Sequence, residues 1–249
     1  MRLASAIKNA GVKPGEVVTI MAPNIPEMFE AHFGVAMAGA VLNTLNTRLD
    51  TDTIAYILEH ADTRLLITDA AFGEAMKTAL TKTENKKIKI IDIVDQQASE
   101  SVSGLRLGEQ DYETFLNGAD PEFKWQMPAD EWQAMCLNYT SGTSGRPKGV
   151  VYHHRGAYLM AMGTIPVWNM PMHPTYLYVV PLFHCNGWGH AWMMAIVAGT
   201  TICCRKIIAE DIYPLITDHK VTHFGGAPIV LSMLVNAPDD VIKKPEHTV

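Results

Sequence analysis

Short apolar runs alternate with segments of helical periodicity along most of this 249-residue chain, and this alternation limits the fold more than any other feature. The strand-like runs are residues 17–21, 65–68, 89–94, 176–180, 200–204 and 222–224. The segments with helical spacing are residues 27–38, 53–60, 71–80, 154–162, 191–198, 211–219 and 229–236. Strands separated by helices of this length predict an α/β fold of layered, mostly parallel sheets flanked by helices. Residues 96–108 are polar and rich in serine, which predicts an exposed loop.

The composition excludes several classes of protein. Hydrophobic residues make up 48% and charged residues 18% of the chain, which is typical of a globular protein. A net charge of −6 and a pI near 5.9 argue against a nucleic-acid partner, which would need a basic face. The most apolar stretch, residues 191–204, is shorter than the roughly 20 residues that span a bilayer. We therefore expect no transmembrane segment and a cytoplasmic location, or a peroxisomal one in a eukaryote.

The four cysteines do not form a disulfide framework. Cys203 and Cys204 are adjacent, the chain has no CxxC pair, and all four cysteines lie among apolar residues. This pattern predicts buried free thiols in a reducing compartment.

The segment from Tyr139 to Gly149, YTSGTSGRPKG, is rich in glycine, serine and threonine and lies between two apolar, strand-like runs. Small residues let a backbone approach a ligand closely, and successive N–H groups can then converge on a polyanion. The hydroxyl groups add donors, and Lys148 adds a positive charge. The segment therefore predicts a phosphate-binding loop. The alternative is a flexible linker, although linkers rarely place a single Pro-Lys pair between two such runs.

Two widespread phosphate-binding motifs do not fit this segment. The Walker loop needs GxxxxGK followed by Ser or Thr, whereas Pro147 precedes Lys148 and Gly149 follows it. The GxGxxG pattern of dinucleotide-binding folds is also absent from it. From Leu137 to Lys148 the segment resembles the AMP-binding signature of the adenylate-forming superfamily, which includes acyl-CoA synthetases, luciferases and the adenylation domains of peptide synthetases. Ser144 stands where threonine is commoner in that family, and this change keeps the hydroxyl group.

The resemblance extends over essentially the whole chain. Residues 23–27 (PNIPE) and 38–50 (AGAVLNTLNTRLD) look like the opening region of acyl-CoA synthetases. Residues 181–189 (PLFHCNGWG) and 222–228 (THFGGAP) look like their later core motif and acyl-pocket segment, closest to the branch that acts on short- and medium-chain or aromatic acids. The resemblance implies that residues 1–249 are an incomplete large N-terminal domain. Residues 1–133 would be its first α/β part, and residues 134–249 would hold the phosphate loop and the acyl pocket.

The family joins a carboxylate to the α-phosphate of ATP, releases pyrophosphate, and then transfers the acyl group to a thiol, usually that of coenzyme A. The first step brings two anions together, so it needs positive charge and backbone donors. By resemblance, Lys148 would neutralise the departing pyrophosphate, and Pro147 would bias Arg146 away from helix and hold the loop open. The residues that would wrap the β- and γ-phosphates are Thr140, Ser141, Gly142, Thr143, Ser144 and Gly145.

The resemblance also implies an acyl-binding region. His184 would face the carboxylate near the α-phosphate, and the alternative is a core histidine bonded to backbone. Trp188 would form a wall of the acyl pocket, and the alternative is an ordinary core tryptophan. The remaining predicted substrate-binding residues are Gly187, Gly225, Gly226, Ala227 and Pro228. The Gly-Ala-Pro in this run is not expected to be the adenine-contacting motif of the family, which should lie beyond Val249.

No metal-binding residue is predicted within the chain. His184, Cys185 and His190 match neither HExxH nor paired CxxC spacing. His154 and Arg155 are interpreted as helix-entry and packing residues.

The resemblance implies ATP, coenzyme A and a carboxylic acid as substrates, with Mg²⁺ bound by an acidic residue outside this chain. The adenine motif, the ribose-binding Asp and the lysine of the C-terminal lid are also expected beyond Val249, so the chain alone is expected to be inactive. Two alternatives remain: a truncated paralogue that binds acyl groups or nucleotide without turnover, and an adenylation domain that loads a carrier protein. The sequence identifies neither the acid nor the oligomeric state.

Overall fold

The computed structural model describes residues 1–140 and 145–249. The predicted phosphate-binding residues Ser141, Gly142, Thr143 and Ser144 lie outside the described residues. The described chain forms two compact units. The first contains residues 1–22 and 30–156, and the second contains residues 23–29 and 157–249. The division into parts 1–133 and 134–249 stays a prediction. The two strands that flank the predicted phosphate loop, residues 134–139 and 149–153, pair within the first sheet.

The secondary structure alternates between strands and helices. The strands are β1 (Val17–Met21), β2 (Val41–Thr44), β3 (Thr63–Asp69), β4 (Lys89–Ile93), β5 (Gln110–Asp111), β6 (Ala134–Tyr139), β7 (Gly149–His153), β8 (Thr175–Tyr178), β9 (Thr200–Cys203) and β10 (His223–Gly225). The helical segments are α1 (Arg2–Asn9), α2 (Pro26–Met37), α3 (Thr51–His60), α4 (Gly73–Lys82), α5 (Ser99–Val102), α6 (Tyr112–Asn117), α7 (His154–Val167), α8 (Cys185–Trp188), α9 (His190–Ile196), α10 (Ala209–Asp218) and α11 (Pro228–Val235), with a 3₁₀ turn at Ala70–Phe72 before α4.

The first unit is built on a seven-stranded sheet of order β5-β4-β3-β1-β2-β6-β7. Its neighbouring strands are parallel except for β6 and β7, which are antiparallel and are joined by the phosphate loop. Val18 and Ile20 of β1 are fully buried, as expected for a central parallel strand. The buried Thr19 hydroxyl shares a 2.8 Å hydrogen bond with the Thr63 hydroxyl and accepts a 3.0 Å bond from the Asn43 amide. The predicted α/β fold with a mostly parallel sheet is confirmed.

The second unit has a three-stranded parallel sheet of order β10-β8-β9. Its core includes Leu177 and Val179 from around β8 and Ile212 and Ile216 from α10. Residues 191–204 form a buried helix followed by a strand, as predicted from their hydropathy.

The prediction of an exposed loop at residues 96–108 is only partly correct. Several of its residues are exposed, but residues 99–102 form the short helix α5 and part of the segment is buried. Ser101, in the short helix α5, is fully buried and accepts a 2.9 Å hydrogen bond from the Asp95 N–H. The buried Asp92 carboxylate accepts hydrogen bonds from the N–H groups of Leu107 (2.9 Å) and Gly108 (2.7 Å). Polar composition correctly indicated exposure of several residues in this segment, whereas Ser101 and the N–H groups of Leu107 and Gly108 have hydrogen-bond partners inside the protein.

The cysteine prediction is only partly correct. All four cysteines are free, and Cys136 and Cys204 are buried, but Cys185 and Cys203 are partly exposed. Burial raises the pKa of the Cys203 and Cys204 thiols to about 12, so both remain protonated and are poor nucleophiles.

No helix among residues 1–140 and 145–249 is long and apolar enough to cross a membrane.

Candidate functional site

Strand pairing and hydrogen bonds hold together the two ends of the predicted phosphate loop in the first unit. β6 ends at Tyr139, which pairs with Gly149 at the start of β7. The Thr140 N–H donates a 3.0 Å hydrogen bond to the Lys148 carbonyl oxygen, and the Lys148 N–H donates a 3.4 Å bond to the Thr140 hydroxyl. Gly145 has a φ of 139°, which strongly favours glycine. Thr140 and Lys148 are both exposed, so their side chains are accessible to a ligand.

The residues after β7 lead into helix α7, as their helical spacing predicted. His154 is the first residue of α7, and the His153 imidazole accepts a 2.9 Å hydrogen bond from the Gly156 N–H through Nδ1. Arg155 forms a 2.7 Å ion pair with Glu131. Burial lowers the pKa of His154. These residues therefore contribute to helix entry and packing.

The PLFHCNGWG motif contains a left-handed turn in the second unit. The φ angles are 46° at Cys185, 44° at Asn186, 59° at Gly187, 58° at Trp188 and 70° at Gly189. The helical segment α8 is thus a left-handed turn, closed by a bond from the Gly189 N–H to the Asn186 carbonyl oxygen at 3.1 Å. Left-handed conformations cost roughly 1–2 kcal/mol per non-glycine residue. Such strain clusters at functional sites, which supports a functional role for this motif.

His184 precedes this turn, Trp188 lies within it, and both are exposed. Trp188 has 48% of its surface exposed, which contradicts the alternative of a core tryptophan. His184 is also exposed, and its Nε2 lies 4.0 Å from the Cys185 sulfur. The alternative of a buried core histidine at position 184 is therefore wrong.

Two of the predicted pocket glycines lie against strand β8. A Cβ atom at Gly187 would lie 3.4 Å from the Tyr178 ring, and Gly225 is the strand partner of Tyr178 across β10 and β8. A Cβ atom at Gly225 would lie 2.8 Å from the Trp168 ring, so the backbone there passes close to an aromatic side chain. Gly226 follows β10, and the next two predicted residues, Ala227 and Pro228, form the N-terminal end of α11.

Asn24 fixes the segment that leads from β8 to His184, and sequence reasoning missed it. Its amide nitrogen donates to the carbonyl oxygens of Tyr178 (2.9 Å) and Val180 (3.1 Å). Its amide oxygen accepts a 2.8 Å hydrogen bond from the Leu182 N–H. Asn24 belongs to the PNIPE segment, and this bonding explains why residues 23–29 belong to the second unit.

A buried histidine also supports the second sheet. His190 is 1% exposed, and its Nδ1 shares a 2.7 Å hydrogen bond with the Tyr176 hydroxyl. The Gly225 N–H donates a hydrogen bond to the same hydroxyl oxygen. Burial raises the pKa of Tyr176, so the phenol stays protonated and donates to the neutral imidazole. These hydrogen bonds therefore connect His190 in α9 and Tyr176 in β8 to the predicted pocket residue Gly225.

The buried His190 predicts acid destabilisation of the second unit. Burial lowers the pKa of His190 to about 4, whereas the unfolded imidazole titrates near 6.5. Between these values the unfolded chain binds the extra proton, so the free energy of unfolding should fall by up to about 3 kcal/mol as the pH decreases from 6.5 to 4. Urea unfolding at several pH values measures this loss, since Trp168, Trp188 and Trp192 all lie in the second unit.

The pH dependence can be assigned to His190 by substitution. His190→Gln should remove most of the loss between pH 6.5 and 4, and the same change at the exposed His219 should not. A His190→Gln variant that retains the wild-type pH dependence would contradict the assignment.

The described residues do not include a group of three or more His, Cys, Asp or Glu side chains that could hold a metal ion.

Comparison with known proteins identifies the family. The model of the AMP-binding enzyme family matches residues 1–247. The chain belongs to the AMP-binding enzyme family. It is 46% identical to the peroxisomal acetate/butyrate–CoA ligase AAE7 of Arabidopsis thaliana, over 100% of this chain and 45% of that protein. It is 44% identical to the 2-methylpropanoate–CoA ligase CCL4 of Humulus lupulus, over 95% of this chain and 43% of that protein.

Solved structures of CoA ligases share the fold of this AMP-binding family member. The N-terminal domain of FACL13 from Mycobacterium tuberculosis aligns with 99% of this chain and 58% of the solved chain. The TM-score is 0.83 and the sequence identity is 22%. The anthranilate CoA ligase AuaEII, solved with anthranoyl-AMP, aligns over 96% of this chain and 45% of the ligase chain. The TM-score is 0.83 and the sequence identity is 22%. The chain thus spans less than half the length of the two plant ligases and has the fold of the N-terminal domain.

Proposed function

We propose that this chain carries the phosphate-binding and acyl-binding parts of an ATP-dependent ligase that converts a short aliphatic carboxylic acid into its coenzyme A thioester. In the first step the carboxylate oxygen attacks the α-phosphorus of ATP, and pyrophosphate leaves. In the second step the sulfur of coenzyme A attacks the acyl carbon of the adenylate, and AMP leaves. Both substrates of the first step are anions, so its barrier depends strongly on positive charge and aligned donors.

The position of Lys148 is the observation that carries this proposal. The lysine follows the loop directly, and its backbone is bonded to Thr140 on the other side of the loop. A cation at this point can neutralise charge on the β- and γ-phosphates as pyrophosphate departs. Thr140, Gly145 and the predicted residues of the loop tip would supply hydroxyl and backbone donors to the same oxygens.

The second unit would hold the acid. Its left-handed turn presents an exposed His184 and an exposed Trp188 on either side of Gly187. His184 could donate a hydrogen bond to a carboxylate oxygen, and Trp188 would limit the length of the acyl chain. The two plant ligases carry the names of acetate, butyrate and 2-methylpropanoate, which supports a short aliphatic acid rather than an aromatic one.

The use of Mg²⁺ and the cellular location remain proposals. We assign no step to Mg²⁺, because the described residues provide no carboxylate cluster for it and its ligand is expected outside this chain. The peroxisomal relative favours a peroxisomal location over a cytoplasmic one.

Acid-dependent exchange between ATP and labelled pyrophosphate tests the proposed function in a full-length protein that contains this chain. Acetate, butyrate or 2-methylpropanoate should support exchange, and benzoate should support it at least about tenfold less, as expected for a pocket that discriminates by size. Coenzyme A should then release AMP and form the thioester. Adenylate that coenzyme A does not consume would indicate loading of a carrier protein. Absence of exchange with every acid would indicate a non-catalytic paralogue.

A further inference from the structure

Helix α3 places two side chains beside the ends of the phosphate loop. The helix begins after Asp50, whose carboxylate accepts hydrogen bonds from the N–H groups of Asp52 (3.0 Å) and Thr53 (2.9 Å). Tyr56 and His60 are four residues apart and therefore share one face of the helix. Their ring centroids are 5.2 Å apart.

Each of these side chains contacts a different end of the loop. The Tyr56 hydroxyl donates a 3.2 Å hydrogen bond to the carbonyl oxygen of Pro147, the residue before Lys148. The His60 Nδ1 shares a 2.7 Å hydrogen bond with the hydroxyl of Tyr139, the last residue of β6. One helix face therefore holds both the chain that enters the loop and the chain that leaves it.

Aromatic packing supports the same arrangement. The Tyr139 ring meets the rings of Tyr56 (6.5 Å) and His60 (5.7 Å) edge to face. The Arg146 guanidinium lies 5.4 Å from the centre of the Tyr56 ring, within the range of a cation–π interaction. Burial, followed by the neighbouring Tyr56, raises the pKa of Tyr139 to about 12, so its hydroxyl stays protonated and can donate to His60.

We propose that Tyr56 and His60 are positioning residues that hold Pro147 and Tyr139 in place and thereby fix Lys148 for phosphate binding. This proposal rests on the proposed function of the loop. The link to Lys148 is direct, because Pro147 precedes it in the chain and Thr140, which follows Tyr139, bonds to its backbone. Neither Tyr56 nor His60 needs to touch the nucleotide.

Three substitutions test this role with inorganic pyrophosphate as the probe. Tyr56→Phe removes only the hydroxyl group and keeps the ring under Arg146. His60→Leu removes the ring nitrogens, and His60→Asn restores an acceptor near the position of Nδ1. Calorimetric titration of the 249-residue chain should show pyrophosphate binding weakened by about 3- to 10-fold in Tyr56→Phe and His60→Leu, the range expected for loss of one hydrogen bond. His60→Asn should bind within about twofold of wild type.

Tyr112→Phe is the matched control. It also removes one phenol hydroxyl, which donates a 2.8 Å hydrogen bond to Glu30 in the first unit, and should leave pyrophosphate binding unchanged. In a Lys148→Ala background, Tyr56→Phe and His60→Leu should not weaken pyrophosphate binding further, because the cation that they position is then absent. Losses of equal size in that background, or unchanged binding in both Tyr56→Phe and His60→Leu, would overturn the proposal.

A second measurement separates this role from the function of the loop. Exchange of the Thr140 amide hydrogen, followed by NMR, reports the bond to Lys148 without any ligand. Exchange should be about 3- to 10-fold faster in Tyr56→Phe and His60→Leu and unchanged in Tyr112→Phe. If the wild-type chain does not bind pyrophosphate, the proposed phosphate-binding function of the loop is wrong. In that case, faster Thr140 exchange in the two variants would still support the positioning role of Tyr56 and His60. Unchanged Thr140 exchange would overturn that role.

Discussion

Replacing Lys148 with alanine is expected to slow formation of the acyl-adenylate by about two to three orders of magnitude, the range seen when one preorganised stabilising group is removed. The lysine would supply a full positive charge where negative charge collects on the leaving pyrophosphate. Its backbone is bonded to Thr140, which places the root of the lysine side chain at the end of the loop. Single-turnover measurement of adenylate formation in the full-length protein checks this result.

Two companion variants show whether charge at this position is the cause. Lys148→Arg keeps the charge but changes its shape, so its rate should lie between those of wild type and Lys148→Ala. Lys77→Ala removes an exposed lysine from helix α4 and should have no effect. A Lys148→Ala rate close to wild type would exclude this lysine from the chemistry, even if pyrophosphate binding were weakened.

The two units contribute different kinds of rigidity to the proposed reaction. In the first unit, the phosphate loop joins an antiparallel pair at the edge of a parallel sheet, and hydrogen bonds tie its ends together. In the second unit, consecutive left-handed residues hold Gly187 beside Tyr178. In the proposed function, the first arrangement would position a charge, and the second would shape the surface that binds the acid. Both functions require side chains to be positioned before substrate arrives.

The fold was predictable from the sequence because hydrophobic periodicity is a local signal. Strands such as β1 and β3 and helices such as α9 occur where their patterns predict them. A phosphate loop could be proposed from the sequence because its residue types lie within one short segment, and its role remains a prediction. The family resemblance supplied the roles of His184 and Trp188, and these roles remain proposals.

The missed features depend on contacts between distant parts of the chain. Nothing in the sequence near Asn24 shows that its amide bonds residues 178–182. The left-handed turn could not be predicted either, because Asn186, Gly187 and Gly189 readily adopt positive φ but Cys185 and Trp188 do not. The hydrogen bond between His190 and Tyr176 could not be predicted either, because it joins α9 to β8, and burial makes His190 a neutral core residue.

Asn24→Ala is expected to lower the free energy of unfolding of the second unit by about 3 kcal/mol, since it removes three hydrogen bonds of about 1 kcal/mol each. Asn24 is 4% exposed, so water cannot readily replace these bonds. The freed segment leads to His184, so the KM for the acid should rise in the full-length protein. Urea unfolding followed by tryptophan fluorescence measures the loss, and Asn117→Ala at an exposed helix end is the control.

Asn24→Asp separates the loss of bonds from the loss of side-chain volume. The new carboxylate could still accept a hydrogen bond from the Leu182 N–H, but it would face the carbonyl oxygens of Tyr178 and Val180. This repulsion raises the folded pKa of the carboxyl group above its unfolded value near 4. The variant should therefore be at least as unstable as Asn24→Ala at pH 7, and it should gain stability relative to Asn24→Ala as the pH falls through the folded pKa towards 4. A constant difference between the two variants across this range would show that the amide does not donate to these carbonyl groups.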